Sequence, residues 1–351
     1  MADEAFAWGD VLAPLMRRED LPSGVVEEAM AAILRGEATD AQIGAFGTLL
    51  RAKGETPSEL AALVRTMLRF APEVPAAAGT GPLIDTCGTG GDRSHTVNIS
   101  TVASLVIAGS GVRVAKHGNR AASSSSGSAD LFEELGVAID LSPEAVVRCI
   151  DETGIGFFFA QRFHSALRFV GPARREVGVA TTFNFLGPLA NPAGVSRQVI
   201  GVSDPAMADR MMLTLAELGR ERAMVFFGHD GLDELTTTDV STLRELRGGS
   251  ITRSVIEPLD YGIPRATAES LRGGSPGENA ASARKVLGGE AGPVRDVVVL
   301  NAAAALVVAD AAADIAEGVE QAEASIDSGR AAATLDALVK VSRAAQSSEA
   351  G

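Results

Sequence analysis

Cysteine, tryptophan and tyrosine are scarce in this chain of 351 residues, which has two cysteines, one tryptophan and one tyrosine. The cysteines, Cys87 and Cys149, provide neither a disulfide framework nor a metal-binding spacing. Because no histidine lies near Cys87 in the sequence, we expect Cys87 to be a small buried residue and not a nucleophile. The four histidines form no triad pattern, so the sequence does not indicate covalent catalysis of the hydrolase type.

Positive charge is also in the minority, and the formal net charge is −14. This balance argues against a nucleic-acid or anionic-membrane partner, since either would need a basic face. Residues 1–4 are acidic or apolar where a signal peptide would be basic. The sequence has no uncharged apolar run of ~18 residues or more, the length that a helix needs to span a membrane. The simplest interpretation is a cytoplasmic protein.

The length predicts about two domains of ~100–200 residues each. Residues 1–75 have the pattern of four short amphipathic helices, and Pro72 and Pro75 mark a hinge after them. Four such helices could form an independent interaction module, but we prefer a small packing domain. We expect helices within residues 142–175 to complete it.

Local signals place the starts of three of these helices. Two capping-box patterns begin the third and fourth helices, Thr39 with Gln42 and Thr56 with Glu59. Ser23 is predicted to cap the second helix in the same way.

From residue 80 to 345 the pattern changes to alternating strands and helices, which predicts an α/β domain with a mostly parallel central sheet flanked by helices. The predicted strands are 83–86, 113–116, 157–160, 198–202 and 223–227. The predicted helices between them are 99–108, 129–135, 143–152 and 206–218. Short strands and turns are predicted for 243–264, helices from residue 278 onward with a buried one at 297–308, and disorder at 345–351.

A glycine-rich stretch after the first predicted strand gives the strongest chemical signal. Gly88, Gly90 and Gly91 lack a Cβ, so their backbone N–H groups can approach an anion closely. An apolar helix begins shortly afterwards, and helix starts offer unpaired N–H groups. With Lys116 as a cation, the stretch indicates a phosphate or pyrophosphate site, although the glycines alone fit a tight turn equally well. Neither a Walker A lysine nor the dinucleotide spacing is present.

Three motifs, in this order and spacing, resemble anthranilate phosphoribosyltransferase. They are Asp-Thr-Cys-Gly-Thr-Gly-Gly-Asp at 85–92, Asn-Ile-Ser-Thr at 98–101 and Lys-His-Gly-Asn-Arg at 116–120. The resemblance continues over nearly the whole chain, through 123–128, 174–176, 183–192 and 231–234. Members of this family join anthranilate to 5-phosphoribosyl-1-pyrophosphate in tryptophan biosynthesis. The resemblance therefore implies a small helical domain, a larger α/β domain, a homodimer and Mg²⁺, with two ions per active site.

Carried over by motif, the resemblance implies a set of residues that contact the sugar phosphate. These are Gly88, Gly91, Asp92, Thr96, Asn98, Ser100, Thr101, Lys116 and Ser128. Asp92 could accept from a hydroxyl or metal-bound water, or simply form a turn. Residues 123–128 suit a second phosphate-contacting loop, and Ser128 is a candidate cap for the next helix.

The resemblance places the acceptor beside Arg174, Asn119 and His117. A guanidinium offers a planar fork to carboxylate oxygens, so Arg174 suits the carboxylate of anthranilate. Asn119 would hold the amine, and His117 would line the entry. We expect no side-chain acid or base in catalysis, only positioning by Asn119, Arg174 and Lys116. On a helix surface, Arg174 could instead pair with Glu176.

Asp233 and Glu234 are the best candidates for a metal site. Adjacent carboxylates in a turn after a strand can point at one cation, and Mg²⁺ prefers a few carboxylates, waters and phosphate oxygens. Such a pair is usually surface charge when taken alone. The resemblance implies that this pair and Ser100 bind Mg²⁺, where it would stabilise the pyrophosphate leaving group.

One segment departs from the family pattern, because residues 161–168 lack two prolines that the family usually has. We expect a more mobile loop there, beside the acceptor pocket.

Two other enzyme functions are possible from the sequence. One is a pyrimidine nucleoside phosphorylase, whose Lys-x-Ser-Thr-Gly-Gly loop is absent here, and the other is a phosphoribosyltransferase with another acceptor. A non-catalytic anion-binding protein is disfavoured by the joint presence of Asn119, Arg174, Asp233 and Glu234.

Overall fold

The structure is a computed structural model that describes residues 6–79, 81–92, 94–121 and 125–349. Four helices come first: α1 (Trp8–Met16), α2 (Ser23–Leu34), α3 (Asp40–Lys53) and α4 (Pro57–Arg69). Their apolar faces pack into one buried cluster. Within the described ranges, no helix is both long and apolar enough to cross a membrane.

Both predicted capping boxes are present. The hydroxyls of Thr39 and Thr56 accept from the backbone N–H three residues on, and the Gln42 and Glu59 side chains accept in return. The prediction for Ser23 was wrong, because α2 begins at Ser23 and no side chain caps it. The carbonyl of Pro22 accepts from Val25 N at 3.0 Å and from Val26 N at 3.2 Å.

The first half of the α/β region contains β1 (Leu83–Gly88), α5 (Ile99–Gly109), β2 (Arg113–Gly118), α6 (Ser128–Leu135), α7 (Pro143–Thr153) and β3 (Ile155–Phe159). A helical segment follows: α8 (Ala160–Phe163), a 3₁₀ turn (Ser165–Phe169), α9 (Val170–Val177) and α10 (Phe183–Leu189). Next come β4 (Arg197–Gly201), α11 (Pro205–Glu217), β5 (Arg222–Gly228), β6 (Ser241–Arg247) and β7 (Ser250–Ile256). After 3₁₀ turns at Pro258–Tyr261 and Ala268–Leu271, the chain ends with α12 (Pro276–Leu287), α13 (Pro293–Val308), α14 (Ile315–Asp327) and α15 (Arg330–Glu349).

The sheet has seven strands in the order β3-β2-β1-β4-β5-β6-β7. The first five are parallel, and β6 and β7 are antiparallel, so the predicted fold class is confirmed. From β1 the chain proceeds to β2 on one side and later to β4 on the other. The carboxyl ends of β1 and β4 therefore flank a topological switch point, where open α/β sheets bind ligands.

Three local predictions need correction. Strand β3 begins at Ile155, and Ala160 already starts a helix. Ser128 does not cap α6, because the Asp130 carboxylate accepts from Gly127 N at 2.9 Å and closes that helix start. The tail is helical to Glu349, whose Oε1 accepts from Ser142 N at 2.9 Å.

Of the segment expected to complete the helical domain, α9 packs against α3, whereas α7 packs on β3 and α15. The division into two domains stays a prediction. The two regions are joined by polar contacts, one buried and one partly buried. Glu55 accepts from the Thr182 hydroxyl at 2.7 Å, and Arg51 pairs with Asp204.

Candidate active site

The loop after β1 is held by the loop after β4. Thr89 N donates to Gly201 O at 2.9 Å, and the Ser203 hydroxyl donates to Gly90 O at 3.1 Å. Gly90 and Gly91 have φ angles of 68° and 84°, in the left-handed region that favours glycine. The predicted glycine turn therefore lies at the switch point of the sheet.

Asp233 lies directly against this loop, although it is distant in the sequence. Its Oδ2 accepts from Gly90 N at 2.6 Å. A Cβ on Gly88 would lie 2.3 Å from that oxygen, and a Cβ on Gly201 would lie 1.6 Å from Asp233 O. Only glycine at the ends of β1 and β4 leaves room for the segment that carries Asp233.

Two amides of the glycine loop remain free for a ligand. In the described part of this loop, Gly91 N and Asp92 N make no hydrogen bond. Consecutive free backbone amides of this kind are suited to an anion. The Asp92 carboxylate accepts from Ser94 N at 3.3 Å and from its hydroxyl at 2.5 Å and so closes a local turn, while its contact with a ligand stays a prediction.

The start of α5 faces the other acidic residue of the pair. Ser100 N donates to Glu234 Oε1 at 3.2 Å, and the Ser100 side chain helps to lower the pKa of Glu234 against the effect of burial. Asn98 precedes α5 without capping it, and its Nδ2 donates to Ser126 O at 2.9 Å. The Asn98 Oδ1 accepts from Asn279 on α12 at 2.9 Å.

Asp233 and Glu234 are both buried, and burial is the main reason that the pKa of each carboxyl is raised. The charges of Glu234 and Asp92 raise the pKa of Asp233 further, while Lys116 opposes the shift at Glu234. Carboxylates confined together in this way are suited to a divalent cation that takes oxygen ligands. In the described ranges no group of three His, Cys, Asp or Glu side chains is arranged to hold a metal ion.

Lys116 is buried beside β1, the strand that precedes the loop, and its Nζ donates to Thr86 O at 2.6 Å. A partner that the sequence analysis missed, Asp85, lies next to it. The Asp85 carboxylate accepts from His117 N and from Gln198 Nε2, each at 3.1 Å. Burial raises the pKa of Asp85, and the charge of Lys116 opposes that rise.

His117 and His164 form a buried pair with their ring centroids 5.2 Å apart. Burial lowers the pKa of His117 well below its usual value, and His164 and Lys116 lower it further. His164 Nε2 lies 2.8 Å from Ala190 O, whereas His117 Nε2 has no hydrogen-bond partner among the described residues. The segment expected to be a mobile loop is helical here, with Phe163 fully buried.

Asn119 is exposed next to Ser128, whose hydroxyl accepts from Asn119 N at 3.1 Å. Arg120 is bound by Asp130 and Glu133, at 2.9 and 2.6 Å, so it is already paired with carboxylates. Of the predicted second phosphate loop, residues 123 and 124 lie outside the described ranges.

Arg174 lies on α9 and is exposed. Within the described chain its guanidinium has no hydrogen bond or ion pair, and the alternative pairing with Glu176 does not form. No contact between described residues brings Arg174 to the glycine loop. Thr101 is buried in α5, and Thr96 forms an isolated bridge with Arg272.

Comparison with known proteins now adds to this geometry. The family model described as "Glycosyl transferase family, helical bundle domain" matches residues 9–71, and "Glycosyl transferase family, a/b domain" matches residues 80–332. The anthranilate phosphoribosyltransferase of Chloroflexus aggregans is 50% identical over 95% of this chain and 98% of that protein. The anthranilate phosphoribosyltransferase of Moorella thermoacetica is 48% identical over 93% of this chain and 96% of that protein.

This chain belongs to the anthranilate phosphoribosyltransferase family. The crystal structure of the family member from Thermus thermophilus has a TM-score of 0.89 at 42% identity, covering 95% of this chain and 99% of that one. The structure of the Saccharomyces cerevisiae member, in complex with PRPP and Mg, has a TM-score of 0.88 at 25% identity. The match covers 96% of this chain and 98% of that one. The resemblance inferred from the motifs is confirmed, as are the fold class and the enzyme class, a glycosyltransferase.

Proposed function

We propose that this chain transfers the phosphoribosyl group of 5-phosphoribosyl-1-pyrophosphate to the amino group of anthranilate. The bond from the anomeric carbon to the pyrophosphate oxygen breaks, a bond from that carbon to the amine nitrogen forms, and the nitrogen loses a proton. The observation that carries the proposal is the glycine loop, with free amides at Gly91 and Asp92, lying against the buried Asp233–Glu234 pair. The relatives' names and the yeast complex with PRPP and Mg support it.

The free amides and the start of α5 would bind the pyrophosphate, with Lys116 supporting the strand before the loop through Thr86. The buried Asp233 and Glu234, with Ser100, would hold Mg²⁺. When bound, Mg²⁺ would neutralise negative charge on the departing pyrophosphate. Two ions per site remain part of this proposal.

The acceptor would bind between Arg174, Asn119 and His117. Arg174 has no competing carboxylate in the described structure, so its fork is available to the carboxylate of anthranilate. Neutral His117 lies buried at this place, and its Nε2 has no hydrogen-bond partner among the described residues. An aryl amine is uncharged near neutral pH, so orientation is the main task of these residues.

A direct assay tests the function. The protein is incubated with 5-phosphoribosyl-1-pyrophosphate, Mg²⁺ and anthranilate, and the loss of anthranilate fluorescence is followed. We expect loss only with all three components and none in excess chelator. A parallel assay with uridine or thymidine and inorganic phosphate tests the nucleoside phosphorylase alternative. Release of free base there, with stable anthranilate fluorescence, would overturn the proposal.

The homodimer is also proposed from the resemblance, with contacts through the helical domain. Met16 on α1 is 73% exposed, an apolar surface residue in the region expected to pair. Sedimentation equilibrium tests it, and a mass near that of one 36.0 kDa chain at micromolar concentration would contradict it.

A further inference from the structure

Asn301 is a polar residue in an otherwise apolar stretch of α13. Residues 297–308 read Val-Val-Val-Leu-Asn-Ala-Ala-Ala-Ala-Leu-Val-Val, and Asn301 is 1% exposed. Burying an amide costs free energy unless its hydrogen bonds are replaced. An aliphatic side chain would fill similar space without that cost, so packing alone does not account for an asparagine here.

The side-chain amide of Asn301 makes hydrogen bonds to both the backbone N–H and the backbone carbonyl of Leu235. Its Oδ1 accepts from Leu235 N at 2.9 Å, and its Nδ2 donates to Leu235 O at 2.8 Å. The second Nδ2 hydrogen is donated to Val297 O at 2.8 Å. Both N–H donors of the amide are therefore used, and exchanging its oxygen and nitrogen would place donor against donor.

Leu235 directly follows the carboxylate pair Asp233–Glu234. On the other side of this segment, the backbone of Asp233 lies so close to Gly201 that no Cβ fits there. The carboxylate pair is thus held between the end of β4 and the amide of Asn301. Because Leu235 is one peptide bond from Glu234, a shift of its backbone would move the Glu234 carboxylate.

We propose that Asn301 is a positioning residue for the metal-binding carboxylates. It holds the backbone of Leu235 and thereby sets where Asp233 and Glu234 meet a divalent cation. The inference rests on the proposed function, because it requires this pair to bind Mg²⁺. Residues that orient metal ligands through hydrogen bonds, without binding the metal themselves, commonly change metal affinity by about 10- to 100-fold when they are replaced.

The test is Mn²⁺ binding without turnover, measured from the free Mn²⁺ signal in electron paramagnetic resonance with inorganic pyrophosphate present. We expect Asn301→Leu to raise the Kd for Mn²⁺ about tenfold. Half-saturating Mg²⁺ in the fluorescence assay should rise as well, with little change in KM for anthranilate. A merely structural role would lower Tm and leave the metal affinity unchanged.

Ser325→Ala is the matched control. Ser325 is also buried, lies on α14 packed against α13, and donates to a backbone carbonyl, Val106 O at 2.9 Å. Its loss should lower Tm and leave the Kd for Mn²⁺ as in the wild type. Equal Mn²⁺ affinity in wild type and Asn301→Leu would overturn the inference while leaving the proposed function intact. Absence of Mn²⁺ binding in the wild type would overturn the metal site itself and, with it, this inference.

Two further measurements cover the case in which Asn301→Leu does not fold. Asn301→Asp retains the size and the acceptor for Leu235 N but lacks both donors, and it should also weaken Mn²⁺ binding. In the wild type, the Leu235 amide should exchange with deuterium far more slowly than exposed loop amides. Exchange at loop rates, or wild-type Mn²⁺ affinity in Asn301→Asp, would overturn the inference.

Discussion

The carboxylate of Asp233 accepts a 2.6 Å hydrogen bond from the backbone N–H of Gly90, which lies 143 positions earlier in the chain. This contact joins the glycine loop to the carboxylate pair. The two motifs expected to bind pyrophosphate and its metal ion are therefore one site.

Asp233→Asn combined with Glu234→Gln should raise the half-saturating Mg²⁺ concentration about tenfold or more, because both anionic ligands are lost. Initial rates against Mg²⁺ concentration measure this. The control is Asp260→Asn with Glu269→Gln, which removes the same charge from exposed positions. If the active-site variant kept the wild-type Mg²⁺ dependence, the pair would have no role in metal binding.

Gly88→Ala should lower kcat/KM for 5-phosphoribosyl-1-pyrophosphate by about 100-fold, since its Cβ would lie 2.3 Å from Asp233 Oδ2 and displace the carboxylate. Gly24→Ala is the control, because a Cβ there meets nothing within 4 Å. Steady-state kinetics with both variants decide the matter. Undiminished kcat/KM in Gly88→Ala would show that the contact with Asp233 is dispensable.

Arg174→Ala should raise KM for anthranilate about 10- to 100-fold, the loss of a charged hydrogen bond worth roughly 1.5–3 kcal/mol. KM for the sugar phosphate should change little. Arg175→Ala, the exposed neighbour on α9, is the control and should leave both constants near wild type. Equal losses for both substrates would remove Arg174 from the acceptor site.

Ser203→Ala should raise KM for 5-phosphoribosyl-1-pyrophosphate several-fold, because Gly90 O loses a hydrogen bond worth about 1 kcal/mol and the loop is held less firmly. Ser203→Thr should restore most of the affinity. Ser110→Ala serves as the control, since that hydroxyl donates to Val106 O at the far end of α5. A Ser203→Ala variant with wild-type KM would show that the loop does not depend on this contact.

Sequence patterns predicted the structure well where the stabilising interactions join residues that are close together in the chain. The Thr56 capping box forms as expected because all its atoms lie within one helical turn. The predictions for Ser23 and Ser128 failed because each is the first residue inside its helix, so the cap position falls on Pro22 and on Gly127, whose N–H is bound by the Asp130 carboxylate. The tail was expected to be disordered from its position in the chain, yet α15 continues to Glu349 and buries Ala345.

In the candidate site, too, the features that depend on local sequence were predicted and those that depend on distant contacts were missed. Gly88, Gly90 and Gly91 could be recognised from the sequence because glycine itself confers the backbone freedom, and the motif order identified the family. Asp85, His164 and Ser203 were missed as partners, since each gains its role from a residue on another element. Asn301 did leave a signal, a single amide in an apolar run, which could have been found.

By itself, the sequence determined the helical start, the parallel α/β pattern and the kind of anion site, because these follow from side-chain periodicity and from glycine in a turn. Only the tertiary structure decided which groups meet. Asp233 is adjacent to Gly90, and Leu235 to Asn301, because parallel strand ends and a buried helix converge at one edge of the sheet. Such contacts depend on the path of the whole chain, which no local pattern records.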